Sequence, residues 1–149
     1  MNDIISYNHH NFRFLTDTFG ECGRPRVAWQ IDPFGHSSQQ ANLFAEMGFD
    51  GLFFGRLDYA DKEERMRTKS MEMVWLPNKR SYLFTGALFH AYSPPPGFCF
   101  DSLCRDVIMD DERMEDYNFD SKISEFVNYT RYQAESYATD NLIMTMGDD

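Results

Sequence analysis

The sequence predicts an α/β protein with a parallel sheet. The chain has 149 residues, of which 42% are hydrophobic and 16% aromatic, which is enough for one folded domain. Short apolar runs alternate with segments of helical periodicity in the order βαβαβ…αβ. That alternation is typical of parallel strands joined by crossover helices.

The first half of the chain carries clear helix and strand signals. Glycines end the apolar helical patterns, and serine, a preferred N-cap residue, stands before the second of them. The apolar runs between them are short and bounded by polar residues, as expected of buried strands. The predicted elements are a helix over 12–19, a strand over 26–31, a helix from Ser37 or Ser38 to Gly48, and a strand over 51–55.

The second half is less regular. Residues 61–75 are highly charged and predict a helix or a mobile excursion, and residues 101–120 hold eight acids, which favours a solvated surface segment. Three consecutive prolines at 94–96 impose an extended loop. The remaining predicted elements are a strand over 83–89, a helix over 122–138 and a buried strand over 141–147.

Composition and charge limit the partners. There are 14 basic and 24 acidic residues, giving a net charge of −10, which disfavours electrostatic binding to nucleic acid or to anionic membrane surfaces. A neutral substrate suits such a surface better. No apolar run approaches the roughly 18 residues needed to span a bilayer, so we expect no membrane span. The sequence is silent on oligomeric state.

The signals for cellular compartment conflict. Cys99 and Cys104 close a short loop that resembles a structural disulfide, which would persist in an oxidising compartment and leave Cys22 unpaired. Asn128 begins an Asn-Tyr-Thr glycosylation sequon. The first residues, however, lack the features of a secretory signal.

Three charged residues directly follow predicted strands: Asp32, Arg56 and Asp149. If the strands are parallel neighbours, all three lie at the same carboxyl edge of one sheet, where functional residues collect. Asp32 and Asp149 then form the natural pair of carboxylates for acid/base or nucleophilic chemistry. Taken singly, each residue could equally be a loop residue that hydrogen-bonds a turn.

Two strings in the chain are specific enough to indicate a family. AWQIDPFGHS at 28–37 and QANLFAEMGFDGLFFGRLDY at 40–59 resemble the lysosomal-type alpha-mannosidases of glycoside hydrolase family 38. The resemblance covers roughly residues 11–149, the middle of the family's amino-terminal catalytic domain. It implies part of a parallel β/α barrel-like catalytic domain that is incomplete in this chain. Because mature members of the family are several times longer, it also implies that Met1 opens a truncated form of a longer secretory-pathway protein. It implies a zinc-dependent, retaining exo-alpha-mannosidase that removes terminal non-reducing mannose from glycoprotein glycans in the lysosome.

The resemblance also implies roles for particular residues. Asp32 matches the family's nucleophile, which is also a zinc ligand, and Asp149 matches the acid/base of an MGxD motif. Phe34, Arg56 and Tyr92 match residues that line the pocket or bind substrate. Net retention of configuration would follow from nucleophilic attack by one carboxylate and proton transfer by the other.

The family's other zinc ligands have no counterpart in this sequence. Asp32 is the one match, and a single carboxylate does not hold zinc tightly. His36 follows a turn and is interpreted as structural, and the adjacent pair His9 and His10 as surface residues. We therefore expect residues 1–149 alone to be inactive and to hold no stoichiometric zinc.

Two rival interpretations remain open at this stage. A zinc-dependent deacetylase on a similar α/β scaffold would also place aspartates at strand ends, although the wording of the two strings argues against it. A non-catalytic fragment or pseudoenzyme could bind sugar or a partner without turnover. Zinc stoichiometry combined with hydrolysis of an aryl alpha-mannoside would separate the three.

Overall fold

The computed structural model describes residues 2–101 and 106–147, with the side chains of the first helix described from residue 10 onward. Helices and strands alternate along most of the chain. The helices are α1 (Asn2–Phe19), α2 (Ser38–Glu46), α3 (Tyr59–Thr68) and α4 (Phe119–Ala134), with a 3-10 turn at Gly20–Gly23. The strands are β1 (Val27–Gln30), β2 (Gly51–Phe54), β3 (Glu72–Trp75) and β4 (Leu83–Ala87).

The four strands form one sheet in the order β1-β2-β4-β3. Phe84 N donates to Asp50 O at 3.2 Å and Leu88 N donates to Phe54 O at 2.9 Å, so β4 advances beside β2 in the same direction. Asp50 N donates to Arg26 O at 2.8 Å, which joins the starts of β1 and β2, so these strands are also parallel. Ala87 N, at the end of β4, donates to Met71 O, just before β3, at 2.9 Å, so β3 is antiparallel to β4. The α/β class is confirmed, with a small mixed sheet; a barrel is not shown.

Two of the predicted elements need correction. The charged segment 61–75 is not one helix or excursion: it divides at Lys69, whose φ of 55° ends α3, and then forms β3. The strand predicted over 141–147 is wrong, since these residues lie outside any strand. The main chain of this segment is bound by a side chain instead: Gln133 Nε2, on α4, donates to Ile143 O at 2.9 Å. A short apolar run indicates burial but does not by itself supply a neighbouring strand to pair with.

Contacts divide the chain into two compact units. Unit 1 comprises Met1–Gln30, Gly35–Phe53 and Met73–Gly86. Unit 2 comprises Ile31–Phe34, Phe54–Glu72 and Ala87–Asp149.

Unit 1 has an apolar core beneath one face of its strands. The aromatic rings of Phe12, Phe44 and Phe49 pack at an angle to one another, with centroids 5.5 Å apart for Phe12 and Phe49 and 5.1 Å for Phe44 and Phe49. Burying such rings supplies most of the local stabilisation. The other buried residues of this unit include Ala28, Ala41, Leu43, Leu52, Leu83 and Thr85.

The opposite strand face of unit 1 is aromatic and open. The Phe53 ring lies between Trp29, at a centroid distance of 6.5 Å, and Phe84, at 5.9 Å. Half of Trp29 is exposed, and Val27 and Val74 are more exposed still. This face follows from strand alternation, because neighbouring residues along β1 point to opposite sides.

Unit 2 is built around α4 and the segments that pack on it. The Tyr137 hydroxyl donates to Ala87 O at 3.2 Å, and burial raises the pKa of that hydroxyl to about 12. The Phe98 and Phe126 rings meet edge to face at 5.3 Å. The buried residues of this unit include Phe54, Met71, Ala87, Leu88, Phe98, Gln133, Ser136 and Tyr137.

The structure describes some of the residues on which the predicted cellular compartment depends. Cys22 is free and exposed, as predicted, whereas Cys104 lies outside the described residues, so its pairing with Cys99 stays a prediction. Asn128 is exposed on α4, and its glycosylation also stays a prediction. Within the described part of the chain, no helix has the length and apolarity needed to cross a bilayer.

Of the two serines considered as the α2 cap, Ser37 is the one used. Its side chain accepts a hydrogen bond from Gln40 N at 3.1 Å. We predict that Ser37→Ala lowers the free energy of unfolding by about 1 kcal/mol. Ser38→Ala, on the adjacent exposed serine, is the matched control and should change it by less than about 0.5 kcal/mol. Urea denaturation of the two variants checks this, and equal losses would contradict the assignment of the cap.

Candidate active site

Asp32 and Arg56 form a close ion pair at the carboxyl ends of β1 and β2. Asp32 Oδ1 accepts from Arg56 Nε at 2.8 Å and from Arg56 Nη2 at 2.6 Å. Asp32 lies two residues beyond β1 and Arg56 two residues beyond β2, so parallel strands bring them to one edge. The pair is well hydrated, with 61% of the Asp32 side chain and 46% of the Arg56 side chain exposed.

The pair also affects the arginine electrostatically. The hydrogen bonds that Arg56 donates to Asp32, together with the negative charge of Asp32, raise the pKa of the Arg56 guanidinium above its ordinary value. Arg56 is therefore a fixed cation at any pH that a protein experiences. Chemically, it holds a hydrated carboxylate in one orientation and leaves room for a ligand beside it.

Tyr92 joins the same cluster from the loop after β4. Arg56 Nη2 donates to the Tyr92 hydroxyl at 3.3 Å, and the guanidinium carbon lies 5.7 Å from the centre of the Tyr92 ring. The guanidinium thus bridges a carboxylate and an aromatic ring, a geometry within cation–π range. Asp32, Arg56 and Tyr92, all in unit 2, are brought together by the fold.

A tight turn holds Tyr92 in place. Ser93 N donates to His90 O at 2.9 Å, and the His90 ring nitrogen Nδ1 lies 3.2 Å from Pro94 O. Ala91, the first central residue of this turn, has a φ of 48°. This left-handed conformation is unfavourable for alanine, so the turn stores local strain next to a candidate site residue.

Phe34 lies in the same short segment as Asp32. Its ring is 91% exposed, so it is available to a ligand and is not part of a core. His36, which we interpreted as structural, is half-buried and has an interaction within the structure. His10 is exposed, as predicted.

Asp149, the second predicted carboxylate, lies outside the described residues. The segment before it is described, however, and it is tied to the Tyr92 loop. The Thr145 hydroxyl donates to Ser93 O at 2.5 Å. Residue 145 therefore lies next to the loop that carries Tyr92, although the segment is not the strand that the sequence predicted.

The described residues do not make a zinc site by themselves. Among the described side chains, those of residues 10–101 and 106–147, no group of three or more His, Cys, Asp or Glu converges. The guanidinium of Arg56, which bonds Asp32, and the phenol of Tyr92, which bonds Arg56, are not usual zinc ligands. A zinc ion at Asp32 would therefore require further ligands from outside the described residues.

Comparisons with known proteins decide the family. The model for the glycosyl hydrolases family 38 N-terminal domain matches residues 2–149. The chain belongs to this family. It is 52% identical, over 98% of its length, to lysosomal alpha-mannosidases of Cavia porcellus and Homo sapiens, and 40% identical, over 99% of its length, to an alpha-mannosidase of Canavalia ensiformis.

The match covers only part of those relatives. The chain spans about 15% of the length of each of the three. The family resemblance inferred from AWQIDPFGHS and QANLFAEMGFDGLFFGRLDY is thereby confirmed. Family 38 membership argues against the deacetylase alternative.

Two residues at this site were not singled out from the sequence. Gly55, between β2 and Arg56, is buried and closely surrounded, and a glycine at a strand end is a recognised signal of close backbone approach. Ala91 carried no signal, since alanine is not a residue from which positive φ is expected.

The strain at Ala91 can be measured. We predict that Ala91→Gly raises the free energy of unfolding by about 1 kcal/mol, because glycine adopts positive φ without a Cβ penalty. Ala60→Gly, on the exposed first turn of α3, is the matched control and should lower it by about 0.5–1 kcal/mol. Chemical denaturation measures both, and a loss at Ala91 equal to that at Ala60 would contradict the strained turn.

Proposed function

We propose that this chain carries the nucleophile region of a retaining exo-alpha-mannosidase that removes terminal alpha-D-mannose from glycans. The single observation that carries the proposal is the Asp32–Arg56 pair, with bonds of 2.8 and 2.6 Å to one carboxylate oxygen, in a chain of family 38. A carboxylate held in one orientation at an open sheet edge is suited to attack a bound sugar.

The proposed first step is attack on the sugar by Asp32. A carboxylate oxygen of Asp32 forms a bond to the anomeric carbon while the glycosidic bond breaks, and the acid form of Asp149 gives its proton to the leaving oxygen. In the second step Asp149 takes a proton from water, the water oxygen bonds to the anomeric carbon and Asp32 leaves as a carboxylate. Two inversions give net retention of configuration.

Arg56 and the aromatic residues have supporting roles in this proposal. Arg56 keeps Asp32 oriented through both steps, because its two bonds fall on the same carboxylate oxygen. The exposed Phe34 ring offers an apolar surface to the C–H face of a sugar, and Tyr92 offers a hydroxyl beside the guanidinium. The substrate-binding residues proposed are thus Phe34, Arg56 and Tyr92.

Zinc is proposed from the family resemblance, with Asp32 as the candidate ligand. The two steps described above involve protein side chains and water, and neither depends on zinc. We propose that this chain is part of a longer protein, called the complete protein below. Zinc bound to the complete protein would act as a Lewis acid toward sugar oxygens. The lysosomal location in the names of several relatives is likewise extended to this protein as a proposal.

The nucleophile assignment predicts a severe effect of Asp32→Asn. In the complete protein, we expect hydrolysis of an aryl alpha-mannoside to fall by at least about 10⁴-fold, because an amide cannot form the glycosyl ester. Zinc content should fall as well. The assay is run at acid pH, with metal analysis of the same preparations.

A matched control is available in unit 1. Asp50 pairs with Arg26 Nε at 2.6 Å, a similar contact between residues equally far apart in sequence. Asp50→Asn removes that carboxylate and should leave the rate within about two-fold. An Asp32→Asn protein with normal zinc and substantial turnover would overturn the proposal and favour a non-catalytic role for this site.

The acid/base assignment predicts a dependence on the leaving group. In the complete protein, Asp149→Ala should slow substrates with poor leaving groups by at least about 100-fold more than activated aryl mannosides, because a weakly basic leaving oxygen needs no proton. Asp140→Ala, at an exposed aspartate that precedes Asp149 in the sequence, serves as the control. Equal losses on both substrate classes would remove Asp149 from this role.

A further inference from the structure

Gly55 occupies a point where three segments of unit 2 meet. A Cβ atom added there would lie 2.6 Å from the Ile31 carbonyl oxygen, 3.3 Å from the Ala91 carbonyl carbon and 3.3 Å from Tyr92 Cδ1. The shortest of these contacts is to main chain and is closer than real Cβ atoms approach. Backbone would have to shift to admit any side chain at this position.

The residues that meet at this point each precede a residue of the cluster. Ile31 is followed by Asp32, Gly55 by Arg56 and Ala91 by Tyr92. The main chain immediately before Asp32 and before Tyr92 therefore packs against Gly55, which itself precedes Arg56. A displacement of a few tenths of an ångström at Gly55 would act on all three side chains, whose mutual contacts are 2.6–3.3 Å long.

We propose that Gly55 is a positioning residue for the Asp32–Arg56–Tyr92 cluster. Its missing side chain allows the Ile31 carbonyl and the Tyr92 ring to close over it, and that closure sets the distance between Asp32 and Arg56. Ala91 contributes from the other side, since its φ of 48° turns the loop so that the Tyr92 ring reaches Gly55. The consequence for catalysis rests on the proposed function, whereas the geometric role does not.

The glycine at the other end of β2 provides a matched control. At Gly51, the first residue of β2, an added Cβ would lie 3.6 Å from Phe84 O and 3.7 Å from Phe84 Cδ1, which is ordinary van der Waals contact. Gly51→Ala therefore adds the same methyl group at the start of the strand that Gly55 directly follows, without a clash. It separates the effect of close approach at Gly55 from the general effect of replacing a glycine next to the site.

The first experiment measures the cluster without any activity assay. In ¹⁵N-labelled protein, the Arg56 Nε–H proton that bonds Asp32 Oδ1 is assigned by its loss in Arg56→Lys, and its solvent exchange is measured. We expect Gly55→Ala to accelerate this exchange by at least about 10-fold, and Gly51→Ala to change it by less than about two-fold. A folded Gly55→Ala protein with unchanged exchange would overturn the proposal.

A second measurement covers the case in which Gly55→Ala does not fold. In the unmodified protein, nuclear Overhauser effects between the Gly55 Hα protons and the Tyr92 ring protons are expected, because Tyr92 Cδ1 lies within 3.3 Å of where a Cβ would be. Their presence supports the close approach. Their absence overturns the proposal whatever the variant does.

Kinetics of the complete protein then separate this role from the proposed function. We expect Gly55→Ala to lower kcat by at least about 100-fold with KM changed by less than about three-fold, because misalignment acts on the reacting carboxylate more than on binding. If the unmodified protein shows no mannosidase activity while the exchange result holds, the proposed function fails and the positioning role stands. Full activity in folded Gly55→Ala would remove the positioning role and leave the proposed function intact.

Discussion

Parallel hydrogen bonding of β1, β2 and β4 is the constraint on which the candidate site depends. Because the three strands advance in the same direction, the chain leaves each of them at the same edge of the sheet. Asp32, Arg56 and Tyr92 follow those three exits within two to five residues. Antiparallel pairing of β1 and β2 would have put Asp32 and Arg56 at opposite ends. Strand direction thus accounts for the cluster before any side-chain interaction is considered.

The chain contains two aspartate–arginine pairs with the same sequence separation, and their positions suggest different roles. Arg26 and Asp50 precede β1 and β2, whereas Asp32 and Arg56 follow them. Both pairs are exposed, so neither contributes much to stability. The second pair differs because Arg56 also contacts Tyr92, and both nitrogens of its guanidinium edge bind one oxygen of Asp32. Its value lies in orientation more than in stability.

The sequence predicted the parts of the fold that have short, well-bounded signals. β1, β2 and β4 were found from apolar runs, and α2 from its serine cap and apolar spacing. It failed in two segments: 61–75 contains most of α3 and all of β3, and the apolar run 141–147 forms no strand. The contact between Asp32 and Arg56 was predictable from strand ends, but the Ala91 turn was not, because positive φ in alanine is imposed by tertiary structure and leaves no local signal.

The cluster illustrates how a hydrated site can still be rigid. Side chains that are about half exposed gain little from packing, and long polar side chains lose considerable rotamer entropy when they are held. Main chain is a more effective support, because a displacement of the backbone costs hydrogen bonds and creates clashes. Here the supports are the strand exits, the Ser93–His90 turn and the close approach at Gly55. Nucleophilic attack requires the reacting atoms to be positioned to well within 1 Å. A nucleophile that must stay accessible to substrate and water is therefore better held by the backbone beneath it than by side chains that enclose it.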